Sequence, residues 1–128
     1  MYVEKDYILR LIHEIIRALF KLLFSKDIKE EKDICLSSEN EEIYNGLIHM
    51  INNGEINLAE NSLFHCLNSN DKQYFQLSLL FYEYLNSKED PFLKEHDFSR
   101  DEILAGLKYI ANIYGYGNLI QVLTQEVD

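Results

Sequence analysis

The feature that most constrains the fold is a predicted helix over residues 6–24 whose polar face is very narrow. When successive residues are set about 100° apart, its charged and imidazole side chains fall within an arc of about 100°. These polar residues are Arg10, His13, Glu14, Arg17 and Lys21. Isoleucine, leucine and phenylalanine fill most of the remaining surface. Because a helix on the outside of a globular domain normally shows a wider polar face, this helix must be covered on more than one side.

Two ways of covering this apolar surface are open. The first is a symmetric homodimer, since a domain of this size buries only roughly two-thirds of its unfolded surface and two-fold pairing is the commonest oligomer symmetry. The residues predicted for self-association are Leu11, Ile12, Ile15, Leu19, Leu22 and Leu23. The second is that the rest of the chain wraps the helix completely.

The rest of the 128 residues predicts a single all-α domain with about five helices. Residues 25–38 are mixed in charge and are predicted to be a connector. A helical hairpin array over 39–115 follows, and the long N-terminal helix packs on it. Its helices are predicted over 38–53, 57–67, 72–86 and 99–115. The tail, 116–128, is compatible with either a helix or a strand.

Local signals set the ends and the order of these helices. Capping boxes, in which a polar side chain and a later carboxylate bind free backbone amides, are predicted at the pairs Ser38–Glu41, Asn57–Glu60 and Ser99–Glu102. Pro91 is expected to break the chain. The segment 72–86 is apolar almost all round, which predicts the central helix.

The middle of the chain resembles a tetratricopeptide-type helical hairpin. That family places a glycine at the turn between its helices, followed by small and large apolar residues at fixed spacings. Here these positions are Gly54, Ala59, Leu63 and Cys66, and Asp71 stands where a proline is usual. The match covers about one repeat, residues 41–67. The resemblance implies close packing of two helices, with Cys66 as a buried small side chain.

Most of the chain also resembles an uncharacterised family of small bacterial helical proteins. The motifs that carry the resemblance are D-Y-I-L-R-L-I at 6–12, A-E-N-x-L-F at 59–64 and H-D-F-S-R-D-E-I-L-x-G-L at 96–107, before a closing Tyr114–Gly115. The resemblance implies a bacterial cytoplasmic protein of unknown function, and it supplies no catalytic residues.

The sequence argues against several kinds of chemistry. A net charge of −10 is unsuited to a nucleic-acid surface. His13–Glu14 matches the start of a zinc-protease motif, but Arg17 stands where the second histidine is required. The two cysteines, Cys35 and Cys66, form no C-x-x-C pair and are expected to be reduced. We therefore expect no cofactor, no metal site and no catalytic residues.

The function predicted from these observations is a non-enzymatic module for protein–protein interaction in the cytoplasm. The expected groove for a partner protein or peptide is lined by Tyr109, Tyr114 and Tyr116, because tyrosine is favoured at binding hot spots; the same rings could instead fill the core. The alternative is a peripheral membrane protein. Residues 1–26 carry a net charge of +2, and an apolar helix with a basic stripe is typical of an interfacial anchor.

Overall fold

The computed structural model describes residues 2–24 and 36–125, which form seven α-helices and no strand. The helices are α1 (Tyr2–Phe24), α2 (Ser38–Asn52), α3 (Ile56–His65), α4 (Lys72–Asn86), α5 (Asp90–Glu95), α6 (Arg100–Ile113) and α7 (Gly117–Gln125). The all-α prediction is confirmed, but about five helices was too few. The predicted connector, 25–38, lies almost entirely outside the described residues.

Two helices were not among those predicted: α5, which the sequence analysis missed, and α7, in the tail that it left open between a helix and a strand. Pro91 does not break the chain, because it lies in the first turn of α5. A proline is tolerated there since its missing N–H would have no partner in the helix in any case. The tail is helical over Gly117–Gln125, and its Ile120 is buried against the core, so packing decides between the helix and the strand that the sequence left open.

The predicted caps are partly confirmed. Ser99 caps α6, and its hydroxyl accepts a hydrogen bond from the amide of Glu102 at 3.2 Å. At α2 the cap is Ser37, which accepts from the amide of Asn40, so the predicted cap at Ser38 is one residue late. The prediction of a capping box at Asn57 is wrong, since that residue lies inside α3.

The predicted central helix is confirmed as α4. It contacts α1, α2 and α6, and it is apolar on nearly all sides because it has neighbours on nearly all sides. Helix α1 in turn contacts α4, α6 and α7. None of the helices in the described ranges combines the length and the apolarity needed to cross a membrane.

The predicted self-association strip on α1 is largely inside the single chain. Ile12, Ile15 and Leu19 are fully buried, and Leu11 and Leu23 are half-buried against the same core. Only Leu22 is well exposed, at 64%. Helices α4, α6 and α7 of the same chain cover these three residues, as the second of the two predicted arrangements expects, and self-association of the helix stays a prediction.

Helices α2 and α3 form a hairpin around a glycine turn. Gly54 has a φ of +85°, a conformation that favours glycine, and a Cβ added there would overlap the ring of His96. Ala59 and Leu63 are fully buried, as the hairpin comparison predicts. Cys66 is exposed at the end of α3, so the prediction that it is a buried small side chain is wrong.

A buried arginine ties the ends of three helices together. The Arg100 guanidinium donates to the carbonyl of Asn86 at 2.8 Å, to the Asn86 side chain at 3.0 Å and to the carbonyl of Lys88 at 2.6 Å. Its Nε donates to Asp90 at 3.1 Å. Asn86 also donates to the carbonyl of Leu9 in α1 at 3.0 Å. The start of α6 is thereby fixed to α4, α5 and, through Asn86, α1.

Candidate functional site

The candidate site surrounds Tyr109, a tyrosine of α6 that is 52% exposed. Its ring packs against that of Phe64 in α3, with the ring centres 5.0 Å apart. A depression of about 290 Å³ lies between the two helices. It is lined by Glu60, Phe64, Glu102, Ala105, Gly106 and Tyr109. We call it the α3–α6 depression.

A second depression, of about 440 Å³, lies between α6 and α7. Tyr109 lines this one as well, so the two depressions adjoin at its ring. The lining of the second depression includes the side-chain amides of Asn112, Asn118 and Gln121. Each amide offers both hydrogen-bond donors and an acceptor. We call this the α6–α7 depression, and the two together the Tyr109 surface.

Glu60 is a half-buried carboxylate in the wall of the α3–α6 depression. The hydroxyl of Tyr82, in α4, donates to its Oε2 at 2.6 Å. Tyr74, eight residues earlier on the same face of α4, donates in the same way to the carbonyl of Leu63 at 2.7 Å. Two tyrosine hydroxyls of the central helix therefore hold α3, and Glu60 with it, in a fixed position.

The surroundings of Glu60 disfavour its charged form. Burial raises the pKa of Glu60, the hydrogen bond from Tyr82 lowers it, and repulsion from the Glu102 carboxylate raises it, with a net upward shift. In the described part of the chain, neither carboxylate forms an ion pair with a lysine, arginine or histidine. The depression therefore holds two uncompensated carboxylates, one on each helix.

Gly106 allows α6 to approach these groups. A Cβ at this position would overlap the Tyr82 hydroxyl and lie 2.6 Å from Oε2 of Glu60. A glycine within a helix costs about 1 kcal/mol relative to alanine. Here the missing side chain leaves room for the hydrogen bond between Tyr82 and Glu60.

We expect Glu60→Gln to stabilise the fold by about 0.5 kcal/mol at pH 7, a modest figure because Glu60 is only half-buried and solvent screens its charge. The amide can still accept from Tyr82, but it has no charge to desolvate and none to repel Glu102. A carboxyl whose pKa is raised by folding binds protons more readily in the native than in the unfolded state. The wild type therefore regains stability as the pH falls, and the advantage of the variant should vanish towards pH 4.5, the ordinary pKa of the group.

Urea unfolding of both proteins between pH 4 and pH 8 measures this difference. Glu95→Gln, at an exposed position of α5, is the control and should follow the wild type at every pH. If Glu60→Gln were destabilised at pH 7, the carboxylate would be a stabilising group and the description of the site would be wrong.

The predicted groove of three tyrosines is not formed. Tyr114 stacks on Phe75 with the ring centres 4.3 Å apart, and the ring of Tyr116 is nearly parallel to that of Phe75 with the centres 6.1 Å apart. Both are half-buried at the edge of the core beside Phe24. Tyr109 does not line the small cavity in that part of the structure. For Tyr109 the binding role stays a prediction, whereas the turn after α6 directs the other two rings towards α4.

Of the residues that line the α3–α6 depression, the sequence analysis assigned only Tyr109 to a site. Glu60 and Glu102 were assigned to helix caps, and Gly106 had no assigned role. The available signal was Gly106 itself, since an isolated glycine inside a strong helical pattern often marks a close approach. The residues of other helices that approach Gly106 could not be identified from the spacing of residues along the sequence.

A further cavity, of about 460 Å³ and mainly apolar, lies between α1, α5 and α6 beside Arg100. The polar groups of Arg100 are already directed to Asn86, Lys88 and Asp90, so they are engaged in holding the fold. Within the described ranges, no group of three or more histidine, cysteine, aspartate or glutamate side chains is arranged to hold a metal ion.

The model of a family of unknown function, DUF6483, matches residues 2–115. This match agrees with the resemblance to an uncharacterised family that the motifs indicated. No match was found among curated proteins or solved structures.

Proposed function

Since the chain belongs to the DUF6483 family of unknown function, we propose its role from its own surface: it is a non-enzymatic helical module that binds an extended segment of a partner protein across the Tyr109 surface. The observation that carries the proposal is the exposed ring of Tyr109 between two adjoining depressions. Tyrosine is enriched at binding hot spots, because it combines a large contact area with a polar tip at low rotamer cost.

The shape and chemistry of the surface support an extended occupant. The two depressions lie on three helices, α3, α6 and α7, with Tyr109 between them. A segment crossing this ring would place successive side chains in the two depressions. Its backbone N–H and C=O groups need partners, and the amides of Asn112, Asn118 and Gln121 can provide them.

Two finer predictions form part of the proposal. Helices α2 and α3 form a tetratricopeptide-like hairpin, supported by the buried Ala59 and Leu63, that presents one wall of the surface. The second finer prediction is a cytoplasmic location, which is expected because charged residues interrupt the apolar residues of α1. The membrane-anchor alternative has little support, because Ile12, Ile15 and Leu19 are buried within the chain and cannot enter a lipid interface.

We expect a displayed library of random peptides, each about twelve residues long, to yield binders that depend on Tyr109. For the binders recovered on the wild type, Tyr109→Ala should raise the dissociation constant about 10-fold to 30-fold, as loss of a hot-spot side chain does. Fluorescence anisotropy of the labelled peptides measures this change. Tyr7→Ala, at another exposed tyrosine on α1, is the matched control and should bind as the wild type does.

Peptides that bind Tyr109→Ala and the wild type equally would place the binding surface elsewhere and contradict the proposal. A selection that yields no binder with a dissociation constant below about 100 μM, roughly −5.5 kcal/mol, would also count against it.

A further inference from the structure

We propose that the α3–α6 depression is a subsite for a basic side chain, a lysine or arginine of the bound segment, held between Glu60 and Glu102 against the rings of Phe64 and Tyr109. This inference rests on the proposed function, and it specifies the chemistry of the partner. It concerns one of the two depressions, so it can fail while peptide binding at the Tyr109 surface remains.

The two carboxylates approach the depression from different helices. Glu60 belongs to α3 and Glu102 to the first turn of α6, and both line the same cavity. Tyr82 occupies Oε2 of Glu60, which leaves Oε1 as an acceptor for a ligand. A cation placed between the two carboxylates can therefore interact with both, and hydrogen bonds between charged partners are stronger than neutral ones.

The walls of the depression also suit a cation. Phe64 and Tyr109 form an aromatic pair there, and ring faces attract ammonium and guanidinium groups that lie within about 6 Å. The aliphatic stem of a lysine or arginine can pack against the same rings and against Ala105. A depression with carboxylates alone would accept hydrated ions, whereas this one also accepts the apolar part of a basic side chain.

The repulsion between the two carboxylates favours the same ligand. The carboxylate of Glu102 is one reason why the pKa of Glu60 is raised, after burial itself. A bound cation replaces this repulsion by attraction to both groups. The net charge of −10 adds a long-range field that attracts basic segments and speeds their association at low ionic strength.

The small cations n-butylguanidinium and n-butylammonium test the subsite without a peptide. We expect both to shift the backbone amide signals of Gly106 and Tyr109 in ¹⁵N-labelled protein, saturably and with millimolar dissociation constants. The neutral isostere n-butylurea should leave these signals unchanged. Glu60→Gln and Glu102→Gln should each weaken cation binding about threefold to tenfold, and Glu95→Gln should not.

Each outcome bears on the proposal separately from the function on which it rests. Equal shifts with n-butylurea, or unchanged cation binding in both glutamine variants, would overturn the subsite. Selected peptides that depend on Tyr109 but carry no lysine or arginine would also overturn it while supporting the proposed function. Cation binding at the site together with a failed peptide selection would support a cation subsite, but it would contradict the proposal that the cation belongs to a bound peptide.

Discussion

Replacing Arg100 with methionine is expected to lower the free energy of unfolding by about 3 kcal/mol, because several buried acceptors lose their donor at once. The carbonyls of Asn86 and Lys88 and the side-chain oxygen of Asn86 all accept from this guanidinium. Arg100 itself is only 8% exposed. Methionine fills similar apolar volume, so the loss reports the hydrogen bonds rather than a cavity.

Chemical denaturation monitored by circular dichroism measures this loss. Arg100→Lys should recover only a small part of it, since a single ammonium cannot reproduce the planar fork that reaches all of these acceptors. Lys108→Met removes an exposed cation from the same helix and should change stability by less than about 0.5 kcal/mol. A loss below about 1 kcal/mol in Arg100→Met would show that water replaces the guanidinium at these carbonyls.

The central helix and the cap of α6 could be predicted from the sequence, whereas the contacts of Arg100 could not. The segment 72–86 was correctly predicted as a central helix because its apolar residues cover nearly its whole circumference, and such a pattern is visible without any partner. Ser99 was correctly predicted as a cap, because a capping side chain and the backbone amide that it binds are only three residues apart in the sequence. Arg100 joins groups that lie 10 to 14 residues away, and no periodic signal reports a contact of that kind.

The same distinction applies to the candidate site. Tyr109 could be selected from its residue type and from its place on an amphipathic helix. Glu60 and Gly106 become meaningful only when α3 and α6 are side by side, because one provides a carboxylate and the other the space for the hydroxyl of Tyr82. For Tyr114 and Tyr116 the sequence left a binding surface and the core open, for the converse reason. Their residue type suits a binding surface, but the turn after α6 brings both against Phe75.

The apolar surface of α1 was identified correctly, and what covers it was left open between a second copy and the rest of the chain. Counting helices suggested that too few were available, since α5 was missed and the tail that forms α7 was left open between a helix and a strand. With α7 present, α1 contacts three helices of its own chain. A broad apolar arc therefore indicates how much cover a helix requires, while the source of the cover depends on packing that the pattern does not contain.

Leu19→Ala is expected to cost about 2–5 kcal/mol of unfolding free energy, the range for a fully buried leucine whose removal leaves a cavity. Leu19 is completely buried within the chain, so the loss should be the same at every protein concentration. Leu22→Ala is the matched control, one turn further along the same helix. Its side chain is 64% exposed, so we expect a change of less than about 0.5 kcal/mol.

Thermal unfolding of the wild type and both variants over a hundredfold range of protein concentration separates burial in the chain from burial in a dimer. Stability that is linked to self-association depends on concentration, whereas stability from the packing of α1 on α4, α6 and α7 does not. A melting temperature that rises with protein concentration and is lowered by Leu22→Ala would show that a dimer forms through the end of α1. Concentration-independent melting, with the large loss confined to Leu19→Ala, assigns the cover of this helix to its own chain.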